Sequence, residues 1–96
     1  MSSSQNNAEN SRKVKIVNRL GIHARPASLL VKTAGRYDAD VSIEKNGSRV
    51  SAKSMMGLLT LEASHGTELL LTACGSDAEQ VLDELEALFA SGFDED

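Results

Sequence analysis

Among its 96 residues the chain has one proline, Pro26, and that residue fixes where the first helix begins. Ala27, Leu30, Val31 and Ala34 follow the i, i+3, i+4, i+7 spacing of a helix with one buried face. Proline lacks a backbone N–H and fits a helix only in the first turn, where that group has no partner inside the helix. The helix is therefore predicted to start near His23 and to run from Ala24 to about Arg36. A slightly irregular first turn is expected, because the residue before a proline, here Arg25, disfavours helical dihedrals. A histidine thus lands at the seam between the loop Arg19–Ile22 and the helix, with an arginine two residues on. Free N–H groups and partial positive charge make a helix start an anion site. Neutral imidazole carries a nucleophilic lone pair. The stretch Leu20-Gly21-Ile22-His23-Ala24-Arg25-Pro26-Ala27 suits a histidine that accepts a phosphoryl group and gives it up.

The rest of the chain reads as short elements around that helix. Lys13 to Asn18 alternates polar and apolar, with Val14 and Ile16 on one face of a strand. Asn46-Gly47 between alternating runs is a strong hairpin signal. A two-residue turn pairs Ile43 with Val50 and Val41 with Ala52 on one face, and Glu44 with Arg49 on the other. Ser54 is a candidate N-cap for a short helix containing Met55, Met56, Leu58, Leu59 and Leu61. Two turns cannot hide so many large apolar side chains on one face. Either Met55, Met56 and Leu59 are partly exposed as a docking surface, or all of them are core. Thr67 to Cys74 is strand-like, and Ser76-Asp77-Ala78-Glu79 reads as a capping box. Val81, Leu82, Leu85, Leu88 and Phe89 mark an amphipathic helix stopped by Gly92. The order β-α-β-β-α-β-α implies an α+β layer fold, four strands with helices over one face.

Composition narrows the function. Aromatics are 3% of the chain (Tyr37, Phe89, Phe93), so the core must be aliphatic. The net charge is −4, but from Ser11 to Tyr37 every charge is basic, and after Lys53 every charge is acidic. The basic stretch either meets something negative near His23 or is an ordinary difference between solvated faces. Overall acidity and the lack of aromatic stacking platforms weigh against nucleic acid. Two histidines and one cysteine at scattered positions give no metal-ligand spacing, and no phosphate-loop or dinucleotide glycine pattern occurs. His65 reads as a surface loop residue, and Cys74 as a small packed one. No apolar run is long enough for membrane insertion, and a lone cysteine fits a reducing, cytoplasmic setting. Residues 1–11 read as a disordered polar tail, 12–93 as one domain and 94–96 as an acidic tail.

Asn18 to Ala27 closely resembles the active-site motif of the HPr family, histidine-containing phosphocarriers of the bacterial phosphotransferase system. Lys53-Ser54-Met55-Met56-Gly57 resembles the family's regulatory serine site, at the family's spacing. The resemblance implies an open-faced sandwich: an antiparallel four-stranded sheet in the order 1-4-2-3 with three helices on one face. It implies that His23 takes a phosphoryl group on Nδ1 from phosphorylated enzyme I and passes it to an enzyme IIA. Arg25 would steady the phosphoryl oxygens, with the N–H groups of Ala24 and Arg25 donating from the helix start. Ser54 would be the target of an HPr kinase/phosphorylase, with Met55, Met56 and Leu59 as docking residues. A monomeric carrier without metal or cofactor, not a stand-alone enzyme, is the implied protein. The alternative is a regulatory binding module controlled by serine phosphorylation, a nitrogen-related or carbon-regulatory paralogue.

Overall fold

The structure is a computed structural model and describes residues 9–95. The elements are β1 (Glu9–Lys15), α1 (Ala24–Ala34), β2 (Asp40–Lys45), β3 (Ser48–Ser51), α2 (Met55–Thr60), β4 (Glu68–Cys74) and α3 (Ala78–Ala90), followed by a tight turn at Gly92–Asp94. The strands form one antiparallel sheet in the order β1-β4-β2-β3, as expected from the resemblance.

The two-residue period of the strands sorts the sheet into two faces. Val14, Val41, Ile43, Leu69, Leu71 and Ala73 point inward and are buried. Over them lie Ala27, Leu30 and Ala34 of α1, Leu58 of α2, and Val81, Leu82, Leu85 and Phe89 of α3. The opposite face carries small polar side chains, with Ser11, Thr72, Ser42 and Ser51 in one cross-strand row. Two aromatic rings anchor an otherwise aliphatic core. Phe89 and Phe93 meet edge to face, with centroids 5.0 Å apart.

The β2–β3 hairpin has the predicted register, with Ile43 opposite Val50 and Glu44 opposite Arg49. Asn46 and Gly47 both adopt positive φ, 50° and 88°, as a two-residue turn matched to strand twist requires. Three local readings differ from the structure. The first strand begins at Glu9, so residues 9–11 belong to β1 through pairing with β4, while residues 1–8 of the expected tail lie outside the described residues. Cys74 is exposed, because the end of β4 points it away from the helices. The N-cap of α3 is Asp77 and makes no capping bond. Its carboxylate instead accepts the N–H groups of Asp38 and Ala39, both at 2.9 Å, and ties the α1–β2 connection to α3.

Part of the charge asymmetry is answered within the molecule. Arg12 pairs with Asp83 and Glu86 of α3 at 2.9 and 2.8 Å, and Arg36 pairs with Glu84. Those carboxylates, which accept its hydrogen bonds, raise the Arg12 pKa above its ordinary value. Glu84 also accepts from the Tyr37 hydroxyl, which holds the phenol in its protonated form to higher pH than usual. Among the described residues no helix is long and apolar enough to cross a membrane.

Candidate functional site

The loop from β1 to α1 is shaped by Gly21 and Asn18. Gly21 has φ 67°, and a Cβ there would lie 2.3 Å from the carbonyl oxygen of Ala63, so only glycine fits. The same carbonyl accepts the Ile22 N–H at 2.9 Å, which docks the loop on the segment after α2. Asn18 is buried and donates from Nδ2 to Gly21 O at 2.8 Å, closing the loop from inside.

His23 then caps α1 in extended geometry (φ −98°, ψ −168°), and its carbonyl accepts the first helical bond, from Ala27 N at 3.0 Å. The imidazole makes no capping bond to the helix. Pro26 is buried in the first turn and has no N–H to offer, so the free donors of the helix start come from Ala24 and Arg25. Both residues are exposed, and the His23 side chain retains 36% of its accessible surface. The expected seam is present, although the ring is half-buried rather than fully exposed.

What covers the ring is the segment after α3. Glu95, which the sequence reading placed in an acidic tail, lies against the site. Its Oε1 is 2.7 Å from Nε2 of His23 and accepts from Asn18 Nδ2 at 3.0 Å. Its Oε2 accepts from Arg25 Nη1 at 3.2 Å, and the same nitrogen donates to Phe93 O at 2.9 Å. The hydrogen bond with His23 is the main cause of a lowered Glu95 pKa; bonds from Asn18 and Arg25 add to it, against partial burial. The segment reaches the site through three consecutive left-handed residues, Gly92, Phe93 and Asp94, with φ of 62°, 56° and 58°. For Phe93 and Asp94 that conformation costs about 1–2 kcal/mol each. The buried Phe93 ring holds it in place. An apolar residue standing alone among acids was the one sequence signal that this stretch folds back.

Ser54 caps α2 as predicted, its Oγ accepting the Gly57 N–H at 3.0 Å. Leu58 is buried beneath it, whereas Met55, Met56 and Leu59 are exposed, Met56 by 74%. Val17 and Leu20, on the His23 loop, are exposed as well. His65 is an exposed loop residue.

The fold and the site's geometry are those of a small α+β phosphocarrier domain built round a histidine at a helix start. A family model described as the PTS HPr component phosphorylation site matches residues 10–91, and the chain belongs to the HPr family. It is 41% identical over 83 residues to the phosphocarrier protein HPr of Treponema pallidum, covering 86% of this chain and 94% of that one. It is also 47% identical over 75 residues to the HPr-like protein Crh of Bacillus subtilis, covering 78% and 88%. Among solved structures, HPr from Thermoanaerobacter tengcongensis superposes with a TM-score of 0.87 at 38% identity, covering 91% of this chain and 98% of that chain.

Proposed function

We propose that the protein accepts a phosphoryl group from phosphorylated enzyme I on Nδ1 of His23 and delivers it to a histidine of an enzyme IIA. The observation that carries this reading is the half-exposed imidazole at the head of α1, beside the free amides of Ala24 and Arg25. Those N–H groups and the Arg25 guanidinium supply positive potential where phosphoryl oxygens would lie. Few donors and open access suit a carrier, which must hold the group loosely enough to hand it on. Every participating group comes from one chain, so a monomer suffices. A lone cysteine and a phosphoenolpyruvate-dependent donor fit the cytoplasm.

Met55, Met56 and Leu59 form the docking surface in this reading. Their exposure on a helix whose start is fixed by Ser54 supports it. Ser54 is the regulatory site. A phosphate there adds about −1.5 to −2 charge at a helix start, which favours the helix but opposes an acidic partner. A second reading, a module whose useful state is Ser54-phosphorylated, draws support from the relative named HPr-like protein Crh.

Incubation with enzyme I and labelled phosphoenolpyruvate separates the two. The carrier reading expects an acid-labile label that is absent from His23→Ala and moves to an added enzyme IIA. An acid-stable label appearing only with ATP and the kinase would favour the second.

A further inference from the structure

We propose that Glu95, held in place by Asn18, is a positioning residue for phosphoryl transfer at His23: it keeps the ring proton on Nε2 and so presents the lone pair of Nδ1. The inference rests on the carrier reading above and adds to it a residue that lies 72 positions away in sequence.

An ionised carboxylate can only accept hydrogen bonds. At 2.7 Å from Glu95 Oε1, Nε2 of His23 must therefore be the donor. A neutral imidazole has one ring proton, and placing it on Nε2 leaves the Nδ1 lone pair free. Such carboxylate–histidine pairing sets tautomer and ring orientation wherever the other nitrogen has work to do.

The carboxylate is itself fixed. Its Oε1 takes a second bond, from Asn18 Nδ2, and its Oε2 is held by Arg25. Asn18 is 1% exposed, and its amide is oriented by two acceptors, Gly21 O and Glu95. That orientation leaves Asn18 Oδ1 buried with no partner among the described residues. A flipped amide would give the oxygen no better neighbour and would turn it against the carboxylate. The left-handed run at Gly92–Asp94 delivers Glu95 to this spot, and strain of that kind persists where the surroundings over-determine it, often at functional sites.

The step then balances without a base. The Nδ1 lone pair forms the N–P bond while the bond from phosphorus to the donor's leaving atom breaks, its electron pair departing with the donor. No proton leaves the ring. Positive charge that develops on the imidazole is offset by Glu95 through Nε2–H. On transfer to the acceptor the N–P pair returns to Nδ1, and the ring is again ready.

The test combines ring-nitrogen NMR with phosphorylation kinetics near neutral pH, on wild type, Glu95→Gln and Glu95→Ala. Expected for wild type is a protonated Nε2 and an unprotonated Nδ1 in a single tautomer. In Glu95→Ala the ring-nitrogen signals should move toward a tautomer average, and phosphorylation by enzyme I should slow by about tenfold or more. Glu95→Gln should fall between, because its amide oxygen still accepts but carries no charge. Unchanged ring signals in Glu95→Ala, or changed signals with an unchanged rate, would overturn the role of Glu95. A wild type that takes no phosphoryl group on His23 would overturn the carrier reading instead, and the ring spectra would still decide the tautomer.

Discussion

A methyl group at Gly21 would sit 2.3 Å from the carbonyl oxygen of Ala63, on a residue whose φ is 67°. Gly21→Ala should therefore lower the urea midpoint by the equivalent of at least about 1–2 kcal/mol, with the denaturant slope unchanged. Glu95 gives a second expectation at this scale. Its folded pKa lies below its ordinary value of 4.5, so the stability it contributes is fully present above that value. It is lost as pH falls through the lower folded value. Urea titrations of wild type and Glu95→Gln should differ at pH 7 and converge in acid below the carboxylate range; a gap that widens in acid would contradict this. Placement of His23, Ala24 and Arg25 was legible in sequence because Pro26 fixes a helix start locally. Glu95 and Asn18 were not, because the bond between them spans 77 residues and follows from no periodicity.

Among the elements, α2 depends most on its start. It has six residues and one fully buried side chain within it, Leu58, so the cap bond from Gly57 N to Ser54 Oγ matters more than in a long helix. Ser54→Ala should cost about 0.5–2 kcal/mol in thermal or urea unfolding. Ser54→Asp, which keeps an acceptor and adds negative charge at the helix start, should retain the fold while weakening enzyme I binding measured by calorimetry. Enzyme I binding unaltered by Ser54→Asp would count against docking at Met55 and Met56. The hairpin was legible to the residue, since turn chemistry and side-chain alternation specify the same register. The start of α3 was not. Its capping-box pattern is present in sequence, but Asp77 instead accepts two N–H groups from the α1–β2 connection. A tertiary partner outcompeted the local cap.

For the whole molecule, alternation and spacing made the four strands and the single helical layer legible, while the strand order came from the family resemblance alone. The charge distribution carried less about partners than its asymmetry suggested. Arg12, Arg25 and Arg36 are paired with Asp83, Glu84, Glu86 and Glu95, which leaves Lys13, Lys15, Arg19 and Lys32 as the cations of that stretch without an ion pair among the described residues. Sequence separation hid this pairing, as it hid the closing of the last turn over the His23 ring. Taken together, α1 offers an imidazole and two amides, and the segment after α3 occupies one of that imidazole's two nitrogens. The most direct test is the position of the N–P bond, read by nitrogen–phosphorus coupling in ring-labelled protein charged with phosphoenolpyruvate and enzyme I. The phosphoryl group should be found on Nδ1 of His23, with Nε2 still protonated; phosphorylation on Nε2, or on any other residue, would contradict the account.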